Sequence, residues 1–77
     1  MEEIITIKDE FIKLGQAMKL AGCVENGVEA KEIIQNGKVK VNGEIDTRRG
    51  KKMYDQDTFT FQNKSYIIKS SLSSKDK

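Results

Sequence analysis

The chain has 77 residues, enough for one domain and one modest core, because domains average roughly 100–150 residues and a chain this short buries only about 60% of the surface its unfolded form exposes. Hydrophobic residues make up 36% and charged residues 34%, with no histidine, proline or tryptophan and a single cysteine, Cys23. Histidine-based catalysis, an intrachain disulfide and a thiolate–imidazole zinc site are thereby excluded; no apolar run is long enough to cross a bilayer, and Met1-Glu2-Glu3 lacks the basic start and apolar stretch of a secretory signal.

In chain order, Glu3 to Ile7 is β-branched and weakly alternating, which predicts a short strand turned by Lys8-Asp9-Glu10. Leu14, Ala17, Met18 and Ala21 fall on one face of a helix that Gly22 ends. Asn26 reads as the N-cap of a second helix, with Glu29 completing a capping box. Ala30, Ile33 and Ile34 form its apolar face, and Asn36-Gly37 stops it. Val39 and Val41 then point one way, and Lys38, Lys40 and Asn42 the other. Asn42-Gly43 predicts a tight hairpin, because both residues tolerate positive φ. Glu44-Ile45-Asp46 forms the return side, followed by a basic arm, Arg48-Arg49-Gly50-Lys51-Lys52, with a flexible glycine inside it. Asp55-Gln56-Asp57 turns the chain. Thr58 to Phe61 alternates with both phenylalanines inward, Gln62-Asn63-Lys64 turns again, and Tyr66-Ile67-Ile68 makes a last strand. Residues 1–69 are expected to form a single domain and residues 70–77, rich in serine and lysine, to fray. The expected fold class is α+β: two short consecutive helices packed on a small, mostly antiparallel, twisted sheet.

Charge is unevenly placed along the chain. Residues 1–37 hold four basic and seven acidic side chains (−3), residues 38–52 six basic and two acidic (+4), and residues 53–77 four basic and three acidic (+1). A local positive field steers polyanions even on a nearly neutral protein. The competing explanations are bland. Lys38 and Lys40 could protect a sheet edge. Arg48 to Lys52 could form a solvated loop, or weak ion pairs with Asp46, Asp55 and Asp57. Cys23 reads as a small apolar filler, Met18 and Met53 as core, and the Asp55/Asp57 turn has too few carboxylates nearby for a metal. One cysteine fits a reducing compartment, the cytoplasm.

Three strings occur in order. They are Lys13-Leu14-Gly15-Gln16-Ala17-Met18-Lys19-Leu20-Ala21-Gly22, Glu29-Ala30-Lys31-Glu32-Ile33-Ile34-Gln35-Asn36-Gly37, and Lys38-Val39-Lys40-Val41-Asn42-Gly43. Over about Lys13 to Phe61 this pattern resembles the S4-type RNA-binding domain. The run from Asn42 through Arg48-Arg49-Gly50-Lys51-Lys52 to Met53 resembles the free-standing bacterial YaaA/YbcJ-like subgroup, in which the module is nearly the whole protein. The resemblance implies a non-catalytic protein, without cofactor or metal, that binds structured RNA. It points to ribosomal RNA or a ribosomal particle in a bacterial cytoplasm. Lys13, Lys19, Lys31, Lys38 and Lys40 match positions that are basic in many members, and Asn42 belongs to the matching Val-x-Val-Asn-Gly. Two positions depart: Gly27 stands where many members carry arginine, removing one expected phosphate contact, and Gly15 stands where an aspartate often opens the first helix.

Double-helical RNA hides its base edges in a deep, narrow major groove, so proteins grip it through phosphates, 2′-hydroxyls and shape. Lys38 and Lys40 would stand about 7 Å apart on one strand face, with Lys31 flanking them. Arg48 and Arg49 offer bidentate forks to phosphate, and Lys51 and Lys52 add point charges. Gly50 would allow close backbone approach, and the start of the second helix at Gly27 exposes N–H groups to an anion. Tyr54 is the one aromatic residue next to the basic arm, which predicts little base reading. The alternative is a protein-interaction adaptor with no RNA target. A monomer is the expected state.

Overall fold

The computed structural model describes residues 2–71. Nine elements follow in order: β1 (Glu2–Ile7), β2 (Phe11–Lys13), α1 (Leu14–Leu20), α2 (Gly27–Gln35), β3 (Val39–Val41), β4 (Glu44–Ile45), β5 (Lys52–Tyr54), β6 (Thr58–Phe61) and β7 (Lys64–Ser70). Five strands form one sheet in the order β1-β7-β6-β3-β4, and β2 and β5 form a separate two-stranded ribbon. β1 runs parallel to β7, and the remaining pairs are antiparallel. The α+β class and the mostly antiparallel sheet are as the sequence predicts.

Alternation decides which side of the sheet is buried. Val39 and Val41, Phe59 and Phe61, Tyr66 and Ile68, and Ile5 and Ile7 all point to one side. There they meet Leu14, Ala17 and Met18 of α1 and Ala30 and Ile34 of α2 in a single core. Met53 of the ribbon is fully buried in the same core. Phe59 and Tyr66 are cross-strand partners, and their rings stack with centroids 4.7 Å apart. Truncating a fully buried phenylalanine such as Phe59 to alanine costs about 3–5 kcal/mol, a large fraction of the stability available to a small domain. Cys23 packs half-buried against this core beside Tyr66. Hydrogen bonding with Cys23, then burial, pushes the Tyr66 phenol up to about 12.

Local signals are met residue by residue. Asn26 Oδ1 accepts from Glu29 N at 2.9 Å, and Glu29 Oε1 accepts from Glu25 N at 2.9 Å, so the capping box reaches one residue further back than its usual form. Asn42 and Gly43 carry φ of +51° and +91°, the two positive values that a two-residue hairpin loop between Val41 and Glu44 requires.

Three features differ from expectation. Phe11–Lys13, unassigned in the sequence, pairs with Lys52–Tyr54. The basic arm, expected only to contain a flexible glycine, is pinned by its backbone: Lys51 N donates to Arg48 O, and the arm is hydrogen-bonded to α1 as described below. The last strand continues through Ser70, which is buried and accepts no boundary at Lys69. The Ser70 N–H donates to Asp55 Oδ1 at 2.7 Å and its hydroxyl to Asp9 O at 2.6 Å. The remaining expectation of fraying falls on residues 72–77, which lie outside the described residues.

Candidate functional site

The start of α1 and the basic arm form one structure. An α-helix leaves its first N–H groups without intrahelical partners. Lys13, the N-cap of α1, provides no side-chain cap, and no acidic residue lies in the first turn. Backbone carbonyls of the arm take that place: Leu14 N donates to Lys51 O at 2.8 Å and Gly15 N to Arg49 O at 3.1 Å. Gly15 makes this possible. A Cβ there would lie 2.8 Å from Arg49 Cγ, so the Arg49 stem lies directly on the helix backbone. A Cβ at Gly50, by contrast, would meet nothing within 4 Å, so no packing within the protein requires glycine there.

This docking gathers charge. Lys13, Lys19, Arg49, Gly50, Gln16 and the first residue of α2, Gly27, line one hollow of about 310 Å³ that has no carboxylate in its wall. Lys13 and Lys52 are direct cross-strand partners in the β2–β5 ribbon, both exposed. Like charges placed directly opposite each other destabilise a strand pair. Among the described residues neither has a carboxylate partner, and Lys52 Nζ lies 4.9 Å above the Phe11 ring. Lys51 and Lys52, with Arg48, Gly50 and Tyr54, line an adjoining hollow of about 550 Å³. Lys31 is one helical turn beyond Gly27 on the same side of α2.

Arg48 is engaged differently. Its Nε and one terminal nitrogen form a two-pronged bond to Asp46 at 3.0 and 2.8 Å, and its backbone N–H donates to the same carboxylate at 2.9 Å. The Arg48 side-chain hydrogen bonds hold the Asp46 carboxyl below the usual carboxylate range, against an opposing effect of burial, and Asp46 raises Arg48 in return. The expected ion pair with Asp46 is thus present. The Asp55 and Asp57 carboxylates have other work, accepting backbone N–H groups of Ser70 and Tyr54.

Lys38, Lys40 and Asn42 do not join the group. Lys40 alternates with the buried Val39 and Val41, so it stands on the face of the sheet away from the helices, in register with Thr60 and Ile45. Lys38 follows the C-terminal end of α2, about 13 Å of helical rise from Gly27 and beyond one Debye length at physiological salt. The Asn42 amide is already committed. Its Oδ1 accepts from Thr58 N at 3.0 Å and Thr58 Oγ1 at 3.3 Å, and its Nδ2 donates to Asp57 Oδ1 at 3.3 Å. Asn42 therefore ties the β3–β4 turn to the start of β6. Phe11 is the residue that sequence reading missed. It faces Tyr54 across the ribbon with ring centroids 5.6 Å apart, so two aromatic rings rather than one adjoin the basic arm.

Among the described residues, no helix is long and apolar enough to cross a membrane. A family model described as "S4 domain" matches residues 5–69. The chain is 44% identical over 54 residues, covering 70% of it and 76% of the relative, to a Bacillus subtilis (strain 168) protein named "Probable ribosome maturation protein RlbA". It is 36% identical over 61 residues, covering 79% of it and 87% of the relative, to the Escherichia coli (strain K12) protein named "Putative RNA-binding protein YbcJ".

Proposed function

We propose that this chain, which belongs to the S4 domain family, is a non-catalytic RNA-binding module of the cytoplasm that grips structured RNA through phosphates and shape and acts in ribosome assembly. The observation that carries it is the set of five cations, Lys13, Lys19, Arg49, Lys51 and Lys52, held around α1 and the ribbon, none of them in an ion pair among the described residues, although Lys51 also acts on the nearby Asp46 carboxylate. Cations placed this way on a rigid platform meet several phosphates together at little ordering cost. Arg48, already paired, contributes less. The names of the two relatives, one for ribosome maturation and one for RNA binding, favour ribosomal RNA as the target.

Five phosphate contacts give log affinity a slope against log salt of roughly −3.5 to −4.5. The test is a gel shift with ribosomal RNA fragments at several salt concentrations. Lys13→Glu combined with Arg49→Glu should abolish binding at physiological salt, while Lys40→Glu, on the far face, should change it less than threefold. A flat salt response, or equal losses for both variants, would refute the proposal. A turnover assay with the same fragments should show no RNA product altered.

A further inference from the structure

We infer that the Phe11–Tyr54 ring pair is a stacking platform for one unpaired nucleobase of the bound RNA. This rests on the RNA-binding function proposed above and extends it from phosphate contact to a base. Cross-strand partners share a face of the ribbon, so Phe11, Tyr54, Lys13 and Lys52 stand together on one side, while Met53 opposite is in the core. Tyr54 is 43% exposed and Phe11 half-buried, so the pair presents ring surface to solvent chiefly at Tyr54.

Cations stand near both rings, although the Phe11 side also carries the Asp9 carboxylate and the apolar Ile7, Ile12 and Leu20. Phe11 lines a hollow with Gln16 and Lys19. Tyr54 lines the one with Arg48, Lys51 and Lys52. The Lys13 and Lys52 backbones lie one pleat repeat from the rings, about 7 Å along each strand; the Lys52 ammonium reaches back over one face of Phe11, 4.9 Å from its centroid, so Tyr54 offers the open face. The rings are inclined at 48° to each other, so the base stacks on Tyr54 with Phe11 as its edge wall, and its flanking phosphates fall near these lysines. Every base offers a π-face, so the platform selects for an unpaired nucleotide rather than for a sequence. The ligand is thus a helical RNA interrupted by a bulged or looped-out nucleotide.

The competing account is that the rings only stabilise the ribbon, as cross-strand aromatic pairs do. Two hairpin RNAs separate the accounts, identical except that one carries a single bulged 2-aminopurine nucleotide. Wild-type protein should prefer the bulged RNA about tenfold, within the range contributed by one stacked base, and should quench its fluorescence. Tyr54→Leu should lose both the preference and the quenching while keeping its affinity and salt slope for the uninterrupted stem. Tyr54→Phe, which keeps a ring, should retain both. Equal affinity of the wild type for the two RNAs overturns the platform and leaves RNA binding standing, and so does a preference that survives Tyr54→Leu. A Tyr54→Leu variant that melts earlier and weakens on both RNAs alike also overturns it, in favour of the stabilising role. Failure of the wild type to bind either RNA with a salt slope overturns the function and the platform together.

Discussion

Replacing Gly15 with alanine tests whether the arm is seated on α1 as described. The new Cβ would lie 2.8 Å from Arg49 Cγ, 3.5 Å from its Cδ and 3.7 Å from its carbonyl oxygen. Cγ lies in the middle of the side chain, so the whole Arg49 stem must move. Removing a helical glycine gains about 0.5–1 kcal/mol, and forcing a packed group aside costs about 1–3 kcal/mol. Gly15→Ala alone should therefore range from neutral to about 2 kcal/mol destabilising. With Arg49→Ala already present the Cγ is gone, the nearest remaining atom is an ordinary contact, and the same substitution should stabilise by about 0.5–1 kcal/mol. Urea denaturation of the four proteins gives the coupling, expected at about 1–3 kcal/mol. Gel shifts should show Gly15→Ala reducing the salt slope by about 0.7–0.9, one phosphate contact, with no further reduction in the Arg49→Ala background. A coupling below about 0.3–0.5 kcal/mol, the limit of ordinary additivity, would refute the seating of Arg49 on Gly15.

Asn42→Ala removes three side-chain hydrogen bonds and leaves alanine at φ +51°; urea melts should show a loss of about 1–3 kcal/mol, while the salt slope of RNA binding stays unchanged. The Asp46 carboxyl is lowered from its ordinary value of 3.8, so its ionised form binds fewer protons folded than unfolded and its stability contribution is present above that value. Wild type should hold a constant advantage over Asp46→Asn from pH 5 to 7, and lose it as the pH falls through the lowered folded value; an advantage that grew on acidification would contradict the pairing with Arg48.

Much of the fold was legible because its signals are local. Asn26 with Glu29, Asn42 with Gly43, and the alternation of Val39/Val41 and Phe59/Phe61 each depend on residues within a few positions. What was missed depends on partners far along the chain. Phe11-Ile12-Lys13 is too short for a period to show, and its partner strand begins at Lys52. The parallel pairing of β1 with β7 joins the two ends of the described chain. Asn42 looked available for RNA because the Thr58 and Asp57 atoms that occupy its amide lie 15 and 16 residues away. For the proposed site, the sequence shows the lysines and arginines but not how they are grouped. Only the fold separates Lys13, Lys19, Arg49, Lys51 and Lys52 from Lys38 and Lys40, and it distinguishes Arg48, paired with Asp46, from Arg49, seated on Gly15.

The capping of α1 explains why Gly15 in place of an acidic residue suits this protein. A carboxylate at the start of the helix would satisfy the free N–H groups and complement the helix dipole. It would also sit among Lys13, Lys19 and Arg49 and neutralise part of their field. Carbonyl oxygens from Arg49 and Lys51 satisfy the same N–H groups without a formal charge. The arm is thereby fixed by its backbone, and of its side chains Arg48 is paired with Asp46 while Arg49, Lys51 and Lys52 make no ion pair among the described residues. The cost is electrostatic: Lys13 opposes Lys52 across the ribbon, and no acidic residue lies in the first turn of α1. On the function proposed above, a phosphate placed between Lys13 and Lys52 would relieve that repulsion, and the relief would appear as differential affinity for the bound state.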